Sequence, residues 1–202
     1  HYIKSHKAME NKNSNFLYDI ISKSASFLEF FKIIKHLTGI SIGLVDINLK
    51  NKVDPYESQA QNKYCKLIQK HKKGLELCNR CDKTHIEKLS KIDYVQYYKC
   101  YFGLIDIVMP ITLGEKRIGY LLGGQIHRDI PTKKQFNRIV KRIKFADKKC
   151  ISVLKKAYFE TPVISQQKLI YTIELLKIFI EYICKVTDRL KLLEELESDT
   201  NI

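Results

Sequence analysis

Four of the six cysteines in this 202-residue chain, Cys65, Cys78, Cys81 and Cys100, lie close together with the spacing C-x12-C-x2-C-x18-C. A C-x2-C pair offers two thiolates from a single turn. Cys65 and Cys100 complete a tetrahedron if their segments fold back onto that turn. Four thiolates suit zinc or an iron–sulfur cluster, so zinc is the expected cofactor and a cluster its alternative. The competing expectation is a set of buried thiols acting as small hydrophobes. A thioredoxin-like role for Cys78 and Cys81 lacks the preceding strand of a βαβ unit. His85, four residues after Cys81, is a weaker substitute ligand.

A second group suits an uncharged organic ligand. Gly123-Gly124-Gln125 ends an apolar stretch, and two glycines in a strand mark a bulge or a close approach. Strict alternation places Gln125 on one face with Gly119, Leu121 and Gly123, its amide available to a cavity. Tyr98 and Cys100 share one face of an earlier strand, Tyr97, Lys99 and Tyr101 the other. Asp106, inside LIDIVMP, is an acceptor that an alcohol would need. Gln125, Tyr98 and Tyr101 are the leading candidates to line a ligand site, followed by Asp106 and Phe102. Tyr98 and Tyr101 have opposite parity and both fit only if the strand ends at Cys100. His127 is expected near a pocket rim. No nucleophile–base pair, recognisable carboxylate pair, P-loop or GxGxxG helix entry is present, so catalysis is not expected. An enzyme using Cys78 or Cys81 as nucleophile is the least favoured reading.

The elements that must carry these residues follow from hydrophobic periodicity. Leu17, Ile20, Ile21, Phe27, Leu28, Phe31 and Ile34 recur at helical spacing up to a stop at Gly39. ISIGLVDIN (40–48) reads as a strand, and Val53 opens another. Residues 58–91 predict two or three short helices, broken near Gly74 and near the cysteines at 78–81. YVQYYKC (94–100), LIDIVMPITL (104–113) and RIGYLLGGQI (117–126) predict three strands, the last two a hairpin. Thr132 and Gln135 have capping-box spacing, Asp147 caps the next helix, and Ser165 opens a long helix. The fold class is therefore α+β with a mainly antiparallel sheet. Helices on one side of it would leave a cavity between the layers.

The formal charge is +14, from 36 basic and 22 acidic residues. Most basic residues are lysine, whereas readers of nucleic acid favour arginine, so direct nucleic-acid binding is not expected. The absence of a long apolar run or an h-region argues against a membrane span or signal peptide. Six cysteines without an export signal point to the cytoplasm.

YCKLIQKHKKGLELCNRCD (64–82) and VQYYKCYFGLIDIVMPITLGEKRIGYLLGGQI (95–126) together resemble the sensory domain of the PocR family. The aromatic-Cys start, the Gly-x-x-x-Cys-x-x-Cys-Asp segment, the Cys-x-x-Gly-Leu strand and the Gly-Gly-Gln strand occur in order. Tyr101 and Phe102 stand where the family pattern often has His-Ala. The resemblance implies a PAS-like module that binds small organic molecules, such as diols or other hydrocarbon derivatives. It also implies coupling to a DNA-binding or kinase output, and it favours the four cysteines acting as a set.

The expected organisation is a tail over 1–13, a sensory domain over 14–164 and a connecting helix over 165–202. The chain opens on His1 rather than Met and reads as a fragment whose output domain follows Ile202. Leu169, Ile173, Leu176, Ile180, Ile183, Thr187 and Leu190 step by four and three. Their first half is expected on the core, their second half in a parallel homodimer.

Overall fold

The computed structural model describes residues 23–47, 49, 52–53, 61–89, 95–113 and 116–200. The expected tail over 1–13, and Leu17, Ile20 and Ile21, lie outside them. Helix α1 (Ala25–Thr38) ends where Gly39 turns its N–H back to the Lys35 carbonyl at 2.7 Å. Strands β1 (Ser41–Asp46) and β2 (Lys52–Val53) follow, then helices α2 (Lys63–Gln69) and α3 (Lys72–Leu89). Strands β3 (Gln96–Lys99), β4 (Ile105–Leu113) and β5 (Lys116–Ile126) complete an antiparallel sheet of order β2-β1-β5-β4-β3. Helices α4 (Lys133–Val140), α5 (Lys148–Phe159) and α6 (Gln166–Thr200) end the chain. This is an α+β fold of PAS-like form with a long C-terminal helix.

Local signals set several boundaries. The Thr132–Gln135 capping box opens α4, and the Asp147 carboxylate accepts the Cys150 N–H at 2.7 Å to cap α5. Residues 63–89 depart from the expected fragmentation. The break falls at Lys70-His71, and α3 runs unbroken through Gly74, Cys78 and Cys81. Gly74 does not end a helix; it lets α2 and α3 meet closely, because a Cβ there would strike the Ile68 carbonyl. A helix gives Cys78 and Cys81 fixed directions, one turn apart on one face.

The core divides around the sheet. Ile42, Leu44, Ile107, Met109, Ile111 and Leu121 pack against Phe27, Phe31 and Ile34 of α1 and Leu169, Leu176, Ile180 and Cys184 of α6. Phe179 stacks on Phe30 with ring centroids 3.7 Å apart, locking the two helices together. On the opposite face Val45, Val108, Tyr120 and Tyr98 meet Ile86 of α3. A third cluster joins Tyr64, Ile68 and Leu77 to Phe102, Leu104, Phe136, Leu154 and Tyr158. The sheet is therefore covered on both faces, not one, and the α2–α3 pair forms the second cover.

Two further expectations change. Ile180 is 5% exposed and Ile183 packs against the same core, so both belong to the core side of α6 and not to a partner-facing seam. The described outward face carries a different stripe: Tyr171, Leu175, Ile178 and Tyr182 are 66, 44, 64 and 63% exposed. The side chain of Leu190 lies outside the described residues. His127 is not at a rim. It is 5% exposed, its Nε2 pairs with the Tyr158 carbonyl at 2.9 Å, and its backbone bridges to the Val163 segment.

Candidate functional site

A cavity of about 250 Å³ lies between the second face of the sheet and the α2–α3 cover. Its lining includes Tyr64, Cys65 and Ile68 of α2, and Cys78, Cys81 and Asp82 of α3. Tyr98, Cys100, Tyr101, Phe102, Asp106, Leu122 and Gln125 come from the sheet and its turns. The five ligand candidates and the four cysteines singled out in the sequence all line this one space; the weaker substitute ligand His85 does not.

Gln125 reaches it through a backbone irregularity. Asp106 pairs with Gly124 but Ile105 pairs with Ile126, which leaves Gln125 as an extra residue in β5. Gly124 has φ 121° and Gln125 φ 61°. A Cβ on Gly124 would run into the Ile105 carbonyl, so this β-bulge requires glycine. Leu121, the expected face-mate of Gln125, packs towards α1 and α6. The bulge turns Gln125 to the other face, beside Leu122.

The bulge is held from two sides. The Gln125 N–H donates to Asp106 Oδ1 at 3.0 Å. The Asn62 N–H donates to Gln125 Oε1 at 2.7 Å, and Asn62 Nδ2 donates to the Gln125 carbonyl at 3.1 Å. The same Asn62 caps α2, its Oδ1 accepting the Tyr64 N–H at 2.8 Å. One residue thus starts the helix that carries Cys65 and fastens it to the sheet. The only sequence signal for it was a cap-type residue before an apolar-periodic segment.

The parity conflict between Tyr98 and Tyr101 resolves as their spacing required. Strand β3 ends at Lys99. A turn follows in which the Cys100 N–H donates to the Leu104 carbonyl at 2.7 Å and the Gly103 N–H to the Cys100 carbonyl at 2.9 Å. Both residues line the cavity, Tyr98 buried in the strand and Tyr101 exposed on the turn. Arg142 fixes Tyr101: its Nη1 donates to the Tyr101 carbonyl at 3.1 Å and its guanidinium lies 5.4 Å from the ring centre. The Tyr98 hydroxyl donates to Asp82 Oδ1 at 3.1 Å, and His85 stacks on the Tyr98 ring at 3.6 Å. This places His85 as a wall for Tyr98.

Asp106 and the four cysteines retain some surface, and they line the cavity. Desolvation dominates their electrostatics. Burial, with the nearby Asp82 charge, raises Asp106 from 3.8 to about 7, although the Gln125 N–H and the Cys100 thiol oppose the shift. Burial pushes Cys65 and Cys100 well above the ordinary thiol value and Cys78 to about 12; Cys81 is also raised. Neutral thiols are poor nucleophiles. Among the described residues, no group of three or more His, Cys, Asp or Glu side chains is gathered so that it could hold a metal ion. The four cysteines surround one cavity without converging, so as arranged they do not fit a tetrahedral zinc or cluster.

A mixed-polarity cavity in a PAS-like fold, lined by thiols, aromatics and paired polar groups, has the form expected of a ligand-sensing regulatory domain. The comparisons agree. The family model described as the sensory domain found in PocR matches residues 20–187, and the chain belongs to that family. Regulatory protein PocR of Salmonella typhimurium is 29% identical over 63 residues, which are 31% of this chain and 21% of that protein. The match thus spans about a fifth of the relative's length. No solved structure gave a significant match. Among the described residues no helix is long and apolar enough to cross a membrane.

Proposed function

We propose that this chain is the small-molecule sensor of a bacterial transcription-regulatory or signalling protein, cytoplasmic and without catalysis of its own. In this reading the ligand occupies the α2–α3 cavity. The observation that carries it is the cavity itself, with its rim fastened by Asn62 between the sheet bulge and the start of α2. A ligand touching Gln125 on one side and Cys65 or Asp82 on the other bears on the α2–α3 cover and the sheet together. The opposite face of the same sheet carries α6, which is continuous from the core to residue 200. Residues 165–202 then act as the connector that carries the signal away from the sensor. The outward stripe Tyr171, Leu175, Ile178 and Tyr182 is the seam of a weak parallel homodimer.

Thermal-shift screening of small alcohols, diols, carbonyl compounds and amines tests the reading. A hit that raises the melting temperature and is weakened by Gln125→Ala supports it. Binding at full strength in Gln125→Ala and in both tyrosine truncations, Tyr98→Ala and Tyr101→Ala, moves the site elsewhere.

The second reading is a redox or metal sensor in which zinc or an iron–sulfur cluster is itself the signal. It draws on one observation, four thiols on one cavity, and requires the α2–α3 cover to close further. Metal content and melting temperature that stay unchanged in Cys78→Ser and Cys100→Ser would end it.

A further inference from the structure

The positive charge of this chain is not spread evenly. Residues 133–156, which form α4 and most of α5, hold ten lysines and arginines against one acid, Asp147. The other 178 residues hold 26 basic and 21 acidic side chains. A general bias towards lysine would coat every surface alike, whereas +9 of the +14 falls on this short stretch.

All ten cations are exposed. Phe136, Ile139 and Ile143 meet Leu154, Ala157 and Tyr158 in one buried cluster, with the Phe136 and Tyr158 rings 5.2 Å apart. The two helices thus lie side by side over one core and turn their lysines outward. The acids at this surface are already engaged. Asp147 caps α5, and Glu160 lies between Lys63 at 3.6 Å and Lys156 at 3.9 Å. Both helices also open on a lysine pair, Lys133-Lys134 and Lys148-Lys149, at the end where the helix dipole repels cations. Among the described residues no ion pair offsets either. Helix stability does not account for cations there; an anion brought to the face does.

The face suits a stiff polyanion with closely spaced charges. Duplex DNA carries about one negative charge per 1.7 Å of axis, hence about ten over the ~18 Å length of α5. A membrane is a poorer match, because peripheral helices sink an apolar side among the lipids. The apolar sides of α4 and α5 are buried against each other, and the exposed Ile130, Val153 and Phe159 stand singly. Single strands are held by stacking on exposed aromatics, but Phe136 is buried and Phe145 half-buried. An acidic peptide is gripped in a groove or along a strand edge, and the outward sides of two helices are neither. Scarce arginine speaks against reading base edges, not against holding phosphates.

Taking the chain as the sensor of a transcription-regulatory protein, we infer that the α4–α5 face holds the phosphate backbone of duplex DNA without regard to sequence. Lys133, Lys134, Lys141, Lys148, Lys149 and Lys155 make the contacts. None of them lines the cavity, so the sensor can hold its ligand and the duplex together.

Fluorescence anisotropy tests this, with short labelled duplexes of two unrelated sequences titrated with the full chain from about 50 to about 200 mM NaCl. Both sequences are expected to bind equally. A slope of log affinity on log salt near −5 is expected, about −0.9 for each of six phosphates. Lys148→Gln, Lys149→Gln and Lys155→Gln together weaken binding at least about tenfold at the lowest salt and make the slope shallower by about 3. Lys88→Gln, Lys177→Gln and Lys185→Gln remove the same charge from other exposed positions and leave binding nearly unchanged. An undiminished melting temperature reports that each triple variant is folded. No binding by the wild type at the lowest salt overturns the inference. So does equal weakening in the two variants, or tighter binding to phosphatidylserine vesicles or poly-glutamate than to duplex. A small-molecule hit from the thermal-shift screen that persists while duplex binding is absent leaves the sensor reading standing. Absence of both removes both.

Discussion

On one face of the sheet Ile107, Met109 and Leu121 meet Phe27, Phe31 and Leu176, all apolar and at most 3% exposed. On the other, Tyr98, Asp106 and Leu122 meet Cys78, Cys81 and Asp82 around a cavity of about 250 Å³. The first face shows what this chain does where stability alone decides: long apolar side chains in continuous contact. The second keeps a carboxyl with a pKa near 7 and four neutral thiols around open volume. Buried polar groups of that kind lower stability unless paired. The contrast assigns stability to the α1–α6 face and recognition to the α2–α3 face.

The largest effect expected from breaking that contrast is on the packed face. Leu176→Ala removes a fully buried side chain and costs about 3 to 4 kcal/mol by chemical denaturation. Its effect on ligand affinity is small, because Leu176 does not line the cavity. An equal loss of affinity and stability would mean that the two faces are not separable.

On the cavity face the sign reverses for Asp106. Its folded pKa of about 7 lies above the ordinary 3.8, so the native state holds more protons than the unfolded chain between those values. Stability therefore falls as pH rises from about 4 to 7. A rise of about three units sets a ceiling near 4 kcal/mol, and water in the cavity brings the expected gain for Asp106→Asn at pH 8 to about 2 kcal/mol. Urea melts at pH 4.5 and pH 8 check this: the stability difference between Asp106→Asn and the wild type grows in the variant's favour as pH rises across the interval.

Asn62→Ala should cost about 1 to 2 kcal/mol, the ordinary worth of a helix cap with its attached hydrogen bonds. Unlike Leu176→Ala, it should also weaken ligand binding, since it removes the side-chain bond from Asn62 to the Gln125 backbone carbonyl and leaves only the Asn62 N–H to hold the Gln125 amide. The smallest effect on folding belongs to Ile178→Asp on the outward stripe, within about 0.5 kcal/mol. Sedimentation of that variant and the wild type reads the homodimer separately. Dimerisation in the wild type that survives the aspartate would move the seam away from Tyr171, Leu175, Ile178 and Tyr182.

The sequence by itself determined the element types, the hairpin of β4 and β5, the caps at Thr132 and Asp147, and nine of the residues that line the cavity. These are local matters of periodicity, capping and motif. Three matters were decided only by tertiary structure. Unbroken helix through Gly74 depends on the approach of α2, which propensity cannot register. The placement of Gln125 depends on one extra residue in β5, and a single bulge reverses the face that alternation assigns. The core-facing side of α6 depends on where Phe30 and Phe31 stand, because two apolar stripes with nearly the same spacing run along one helix. Four cysteines likewise announced a shared site through their spacing. Whether they converge on an ion or stand apart around a ligand is a matter of distances between α2, α3 and the β3–β4 turn, and spacing along a chain carries no such distances.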